Sequence, residues 1–217
     1  MKQVTSMSRL VNQLEKMFRL LNADFFDNTL DTPIITVTPT SKAYAHYTPW
    51  NAWESKDEHK REINIASGTL NRPLESICAS LLHEMCHMYN DTVLNTTDTS
   101  RGNTYHNKYF KHSAEQHGLI VEKHPTYGYC ITSPSERLYE WLLDHDELRE
   151  IEICRTSPGF AAVGVGTKAA DGNTAATIHG NNSHHRRYVC PCCHTVIRAT
   201  KIVNIICGDC DETFIEA

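Results

Sequence analysis

The chain has 217 residues, 40% of them hydrophobic, and a formal net charge of −5. That length holds one medium domain plus a small module, and the acidic balance excludes a protein that coats nucleic acid through bulk charge. No uninterrupted apolar run is long enough to span a membrane, and the N-terminal "MKQVTSMSRLVNQLEKMF" lacks the apolar core of an export signal, so the protein is expected to stay where it is made, without a membrane partner.

Residues 7–22 repeat Leu10, Val11, Leu14, Met17, Phe18 and Leu21 at spacings of three and four, which predicts a helix. "IITVTP" (34–39), "KAYAHYTP" (42–49) and "REINIAS" (61–67) read as strands, the last with Ile63 and Ile65 on one face. A helix should follow from about Pro73 to Asn90, capped by Asn71 and carrying Glu75 in its first turn. "DTVLNTTDTSRGN" reads as a polar loop, and residues 104–118 as a helix closed by Gly118. "LIVEK" and "YGYCITS" predict two short strands, and "SERLYEWLLDHDELREI" an acidic amphipathic helix. Residues 156–187 are rich in glycine and poor in large apolar side chains, a flexible linker between a domain at 1–155 and a module at 188–217.

The helix around "LLHEMCHMYN" carries chemistry. At about 100° per residue, His83 and His87 lie about 40° apart on one face. Leu74, Ile77, Cys78, Leu81, Met85 and Met88 fall on the opposite face, and small residues (Ser76, Ala79, Ser80) flank the histidines. One face can anchor in a core while the other offers two nitrogens to a metal. Glu84 is rotated too far round to be the natural ligand and is placed instead as general base for a zinc-activated water, which is the mechanical content of HExxH. An ordinary amphipathic helix that happens to carry histidines would read the same in isolation. A catalytic zinc commonly takes three protein ligands. His106 in "GNTYHNKYF" is the choice for the third, opening the next helix, with Tyr109 and Phe110 packing beneath the metal and His112 and His117 as competitors. Cys86, on the flank of the same helix, is expected to be a half-buried structural thiol.

The nine cysteines include Cys190-x₂-Cys193 and Cys207-x₂-Cys210, two knuckles whose four thiolates close a structural zinc site. Without an export signal, metal binding is favoured over disulfides. Cys192 makes a poor knuckle with Cys190, and His194 competes weakly with the fourth cysteine. Alternating "VIRATKIVNII" fits the strands of a zinc ribbon. Arg186, Arg187, Arg198 and Lys201 give the module a basic side, read either as a nucleic-acid contact surface or as a solvated edge.

These pieces together resemble the SprT-like zinc metalloprotease family, related to the DNA–protein crosslink protease Spartan. The resemblance rests on "LLHEMCHMYND", "GNTYHNKYF" and the terminal "YVCPCC…IICGDC". "EINIA" and "YGYCITSPSE" are similar to segments of its compact bacterial and phage-borne members. It implies an α+β, zincin-like domain, with a small mixed sheet packed on the HExxH helix, followed by a C-terminal zinc ribbon. It implies a catalytic zinc on His83, His87 and His106, with Glu84 as base, besides the structural zinc. It further implies a cytoplasmic endopeptidase acting on DNA-associated or DNA-crosslinked proteins, with single-stranded or damaged DNA as a partner. "REINIAS" is then expected to form the sheet edge on which an extended peptide substrate adds. The competing expectation is a non-catalytic adaptor that binds nucleic acid through the ribbon.

Overall fold

The computed structural model of the chain describes residues 4–40, 43–156, 186–193, 195–199 and 202–216. The apolar spacing of the N-terminal segment winds helix α1 (Met7–Phe26), which buries Leu10, Leu14, Met17, Phe18, Leu21, Phe25 and Phe26. It runs one turn further than its periodicity alone predicts, because Phe25 and Phe26 also find the core. Asp27 stops it in the left-handed region at φ 52°, its N–H bonded to the Asn22 carbonyl.

Strands β1 (Ile34–Thr38), β2 (Ala45–Glu54) and β3 (His59–Ala66) form one sheet in the order β1-β3-β2. β1 runs parallel to β3, and β2 antiparallel. The expectation that "REINIAS" is a sheet edge is therefore corrected: β3 is the central strand, and among the described residues β2 has a free edge. The reason lies on both faces of β3. Ile63 and Ile65 are fully buried on one, and Asn64, also fully buried, accepts from Thr38 N–H and the hydroxyls of Thr36 and Thr38 on β1.

Helix α2 (Leu74–Thr92) packs its apolar stripe of Ile77, Cys78, Leu81, Met85 and Met88 into the core. Its cap differs from the predicted one. Pro73 stands at the N-cap, and the first free amide, that of Leu74, donates to the Glu150 carboxylate at 3.1 Å rather than to Asn71.

The loop after α2 is not wholly irregular. It contributes β4 (Thr99–Ser100) and β5 (Tyr105–His106), which join β6 (Leu119–His124) and β7 (Gly128–Pro134) in a second sheet, ordered β4-β5-β7-β6. Helix α3 (Lys108–Gln116) lies between β5 and β6 and is capped by the Asn107 side chain. Helix α4 (Glu136–Asp144), capped by Ser135, ends at His145 and so is shorter than the acidic pattern predicted. Beyond it Ile151 turns back to bridge Val4. None of the described helices is long and apolar enough to cross a membrane.

The chain divides into two units, Met1–Ile178 and His179–Ala217. In the second, β8 (Arg186–Val189) pairs antiparallel with β9 (Val196–Ala199) and with β10 (Ile215–Glu216). Its small core is Tyr188, Cys190, Cys207 and Phe214. Arg186 and Arg187, expected at the end of the linker, are strand residues of this unit. Residues 157–185 of the expected linker lie outside the described residues.

Candidate metal centres

His83 and His87 project from the same face of α2, one turn apart, as the four-residue spacing requires. His106 reaches them from another element. It precedes α3 rather than opening it, and stands on β5, where its backbone pairs with Gly128 and its N–H donates to the Tyr127 carbonyl at 3.0 Å. Gly128 is needed there. Its φ is +69°, and a Cβ would run into the His106 carbonyl oxygen and the Tyr105 ring.

The three imidazoles meet through one atom each. His106 Nε2 lies 3.2 Å from His83 Nε2 and 3.0 Å from His87 Nε2. The opposite ring nitrogens of the helix pair are oriented. His87 Nδ1 is 2.8 Å from Asp98 Oδ2, and since a carboxylate only accepts, Nδ1 carries the proton and Nε2 keeps its lone pair. His83 Nδ1 is 3.0 Å from the Thr132 hydroxyl on β7. Asp98 is itself held by Asn90 Nδ2 at 2.8 Å. Phe110, fully buried, packs against all three rings at centroid distances of 4.5, 4.5 and 4.7 Å.

Electrostatics follow the geometry. Burial, then the neighbouring His87 and His106, keeps His83 well below the usual histidine range. Burial and His87 bring His106 down to about 4. Burial opposes charge on His87 too, but the Asp98 hydrogen bond and charge outweigh it and raise its pKa. Glu84 is pushed up to about 7, chiefly by burial; His87 and the backbone N–H of Tyr47, which faces its carboxylate, pull the other way. Glu84 is not one of the three converging donors.

Other expectations around this centre fare unevenly. Tyr109 is half exposed, so of the two only Phe110 packs against the rings. His112 is exposed, and His117 stacks on Phe26 at 4.1 Å away from the cluster. Cys86 is fully buried rather than half-buried, and that burial pushes its thiol well above the ordinary range. Asp98 and Thr132 went unrecognised in the sequence. The one signal for Asp98 was an acid in a polar loop between the second and third histidines.

In the second unit, Cys190, Cys193, Cys207 and Cys210 bring their sulfurs within 4.8 Å of one another. Each knuckle is closed by backbone bonds, Cys190 N–H to the Thr195 carbonyl and Cys207 N–H to that of Glu212. Thr195 holds the Cys193 thiol down to about 6, toward the thiolate a metal takes. Cys192 is exposed and outside the four-sulfur group, while His194 lies outside the described residues. Of the basic residues, Arg186 is paired with Glu216 at 2.6 Å. Arg187 and Arg198 stand opposite one another across β8 and β9. Lys201 lies outside the described residues.

No curated protein and no solved structure matches the chain. A family model does: that of the SprT-like family matches residues 14–132, from α1 through both histidines of α2, Asp98 and His106 to Thr132. The match spans more than half of the sequence and takes in every residue of the three-histidine centre. The chain belongs to the SprT-like family.

Proposed function

We propose that the chain is a zinc-dependent endopeptidase with a zincin-like catalytic domain, a catalytic zinc on His83, His87 and His106, and a structural zinc on Cys190, Cys193, Cys207 and Cys210. The observation that carries the reading is the convergence of three Nε2 atoms beside a buried acid that is not one of them. Tetrahedral zinc with Zn–N bonds of about 2.0–2.1 Å sets its nitrogens roughly 3.3–3.4 Å apart. The observed 3.0 and 3.2 Å separations lie near that spacing. The His87 Nε2 lone pair faces two further Nε2 atoms, a crowding of nitrogens that a shared cation accommodates, and neutral imidazole is the form a metal takes.

Zinc held there supplies Lewis acidity toward a peptide carbonyl and toward water. The rest is the work of the chain. Asp98 and Thr132 hold the Nδ1 sides of His87 and His83, so the Nε2 sides stay presented. Glu84, with a pKa of about 7, accepts a proton from the attacking water and passes it to the leaving amine. The free edge of β2, beside Glu84 at Tyr47, takes the substrate-binding role expected of β3. The family resemblance extends the reading to DNA-associated or DNA-crosslinked protein substrates.

One observation favours the adaptor reading. Arg187 and Arg198 stand directly opposite one another across β8 and β9, which puts two guanidinium groups of the second unit side by side, the kind of pair that phosphate contacts use. The Glu84→Gln variant separates the readings. Elemental analysis should find about two zinc ions per chain in wild type and in Glu84→Gln, and about one in His106→Ala. Glu84→Gln should cleave an unstructured protein substrate at least about a hundredfold more slowly. Equal behaviour of wild type and Glu84→Gln, with and without single-stranded DNA, would favour the adaptor.

A further inference from the structure

Tyr47 joins the free edge of β2 to the face of α2 that bears Glu84. Its hydroxyl donates to Asp91 Oδ2 at 2.6 Å, and Arg61 Nε on β3 reaches the same oxygen at 3.2 Å. Asp91 follows Glu84 by seven residues, two helical turns, so the two acids share a face of α2 about 10 Å apart along its axis. The tyrosine therefore spans from the edge strand to a point beyond the catalytic turn.

The ladder fixes which backbone groups of β2 face outward. Ala66 N–H donates to the Tyr44 carbonyl at 2.8 Å. With Ala45 opposite Ile65, His46 opposite Asn64 and Tyr47 opposite Ile63, hydrogen-bonded pairs fall at 44, 46 and 48. Ala45 and Tyr47 thus turn their N–H and C=O groups away from β3, in keeping with the Tyr47 amide facing Glu84. The next outward position is Pro49, which has no N–H, and the pairing with β3 is irregular between Thr48 and Trp53. The regular part of the free edge ends there, immediately past Tyr47.

We infer that Tyr47 is a positioning residue: its hydroxyl, clamped on Asp91 with Arg61, fixes the short free edge of β2 against α2, so that a peptide pairing with Ala45 and Tyr47 is held in register over Glu84. The inference rests on the endopeptidase reading. Removing the clamp leaves every metal donor in place and lets the edge shift relative to the base.

The test uses full-length, zinc-loaded protein. Tyr47→Phe and Asp91→Ala should each lower kcat about tenfold with KM changed less than about twofold, the pattern of a displaced reacting group. Zinc content should match wild type. Asp91→Asn, which keeps an acceptor for the hydroxyl, should recover most of the rate. The double variant Tyr47→Phe/Asp91→Ala should be no slower than either single one. Amide exchange at residue 47 should quicken in Tyr47→Phe and Asp91→Ala while Leu81 and Leu82 on α2 stay protected. Tyr47→Phe with wild-type kcat overturns the inference alone. Equal losses in Asp91→Asn and Asp91→Ala also overturn it, since the acceptor would then be irrelevant. A wild-type protein without zinc-dependent cleavage overturns the endopeptidase reading and this inference with it.

Discussion

At the scale of single residues, the centre depends on side chains that never touch the metal position. Asp98 sets the His87 tautomer through a 2.8 Å contact and raises that ring's basicity, while Asn90 fixes the carboxylate in turn. Such outer partners are worth roughly 10–100-fold in metal affinity. Asp98→Asn should therefore weaken zinc at the three-histidine centre by about that factor, measured by competition with a chelator of known affinity. The zinc proposed for the four-cysteine centre, in the other unit, should be retained. His83, Glu84 and His87 were legible because their relation is set by one helix pitch. Asp98 was not, because nothing in "NTTDTS" says that this loop returns to the helix it has just left.

At the scale of elements, α2 shows how local pattern and distant chain divide the work. Its apolar stripe was readable and is buried except at its first residue, Leu74, which is half-buried, with Ile77, Cys78, Leu81 and Met85 fully inaccessible. Its start was read as capped by Asn71, yet Glu150, 76 residues on, receives the Leu74 amide. Glu150→Ala should cost about 0.5–2 kcal/mol in chemical denaturation, the usual worth of a lost cap. Asn71→Ala should stay within about 0.5 kcal/mol. The strand order was misread for a related reason. Period-two alternation reports which face of a strand is buried, not which neighbours flank it. β3 became central only when β1 arrived parallel on its far side, bringing threonines to Asn64.

At the scale of the whole molecule, the two units rest on different sources of stability. The first has a broad core drawn from α1, α2, the β1-β3-β2 sheet, α3 and α4. Among its described residues the second buries four side chains, two of them its own metal-ligand candidates, Cys190 and Cys207. A core that small does not hold a fold without a staple. Cys207→Ser should accordingly unfold the second unit, seen as loss of amide-exchange protection at Tyr188 and Phe214. Helix α2 should keep its protection and the three-histidine centre its metal. Simultaneous loss of both units would contradict this division.

Local spacing alone determined the two histidines and the acid of α2, the four cysteines of the second unit, and the buried stripes of α1 and α2. Those features repeat within a few residues, where helix pitch and turn length dictate geometry. Tertiary structure decided what comes from afar: that His106 arrives on a strand braced by Gly128, that Asp98, Thr132 and Glu150 close the polar contacts of α2, and that β2 lies at the edge. Each of these depends on where the chain returns after tens of residues, which is settled by the packing of the whole core rather than by any periodicity along it.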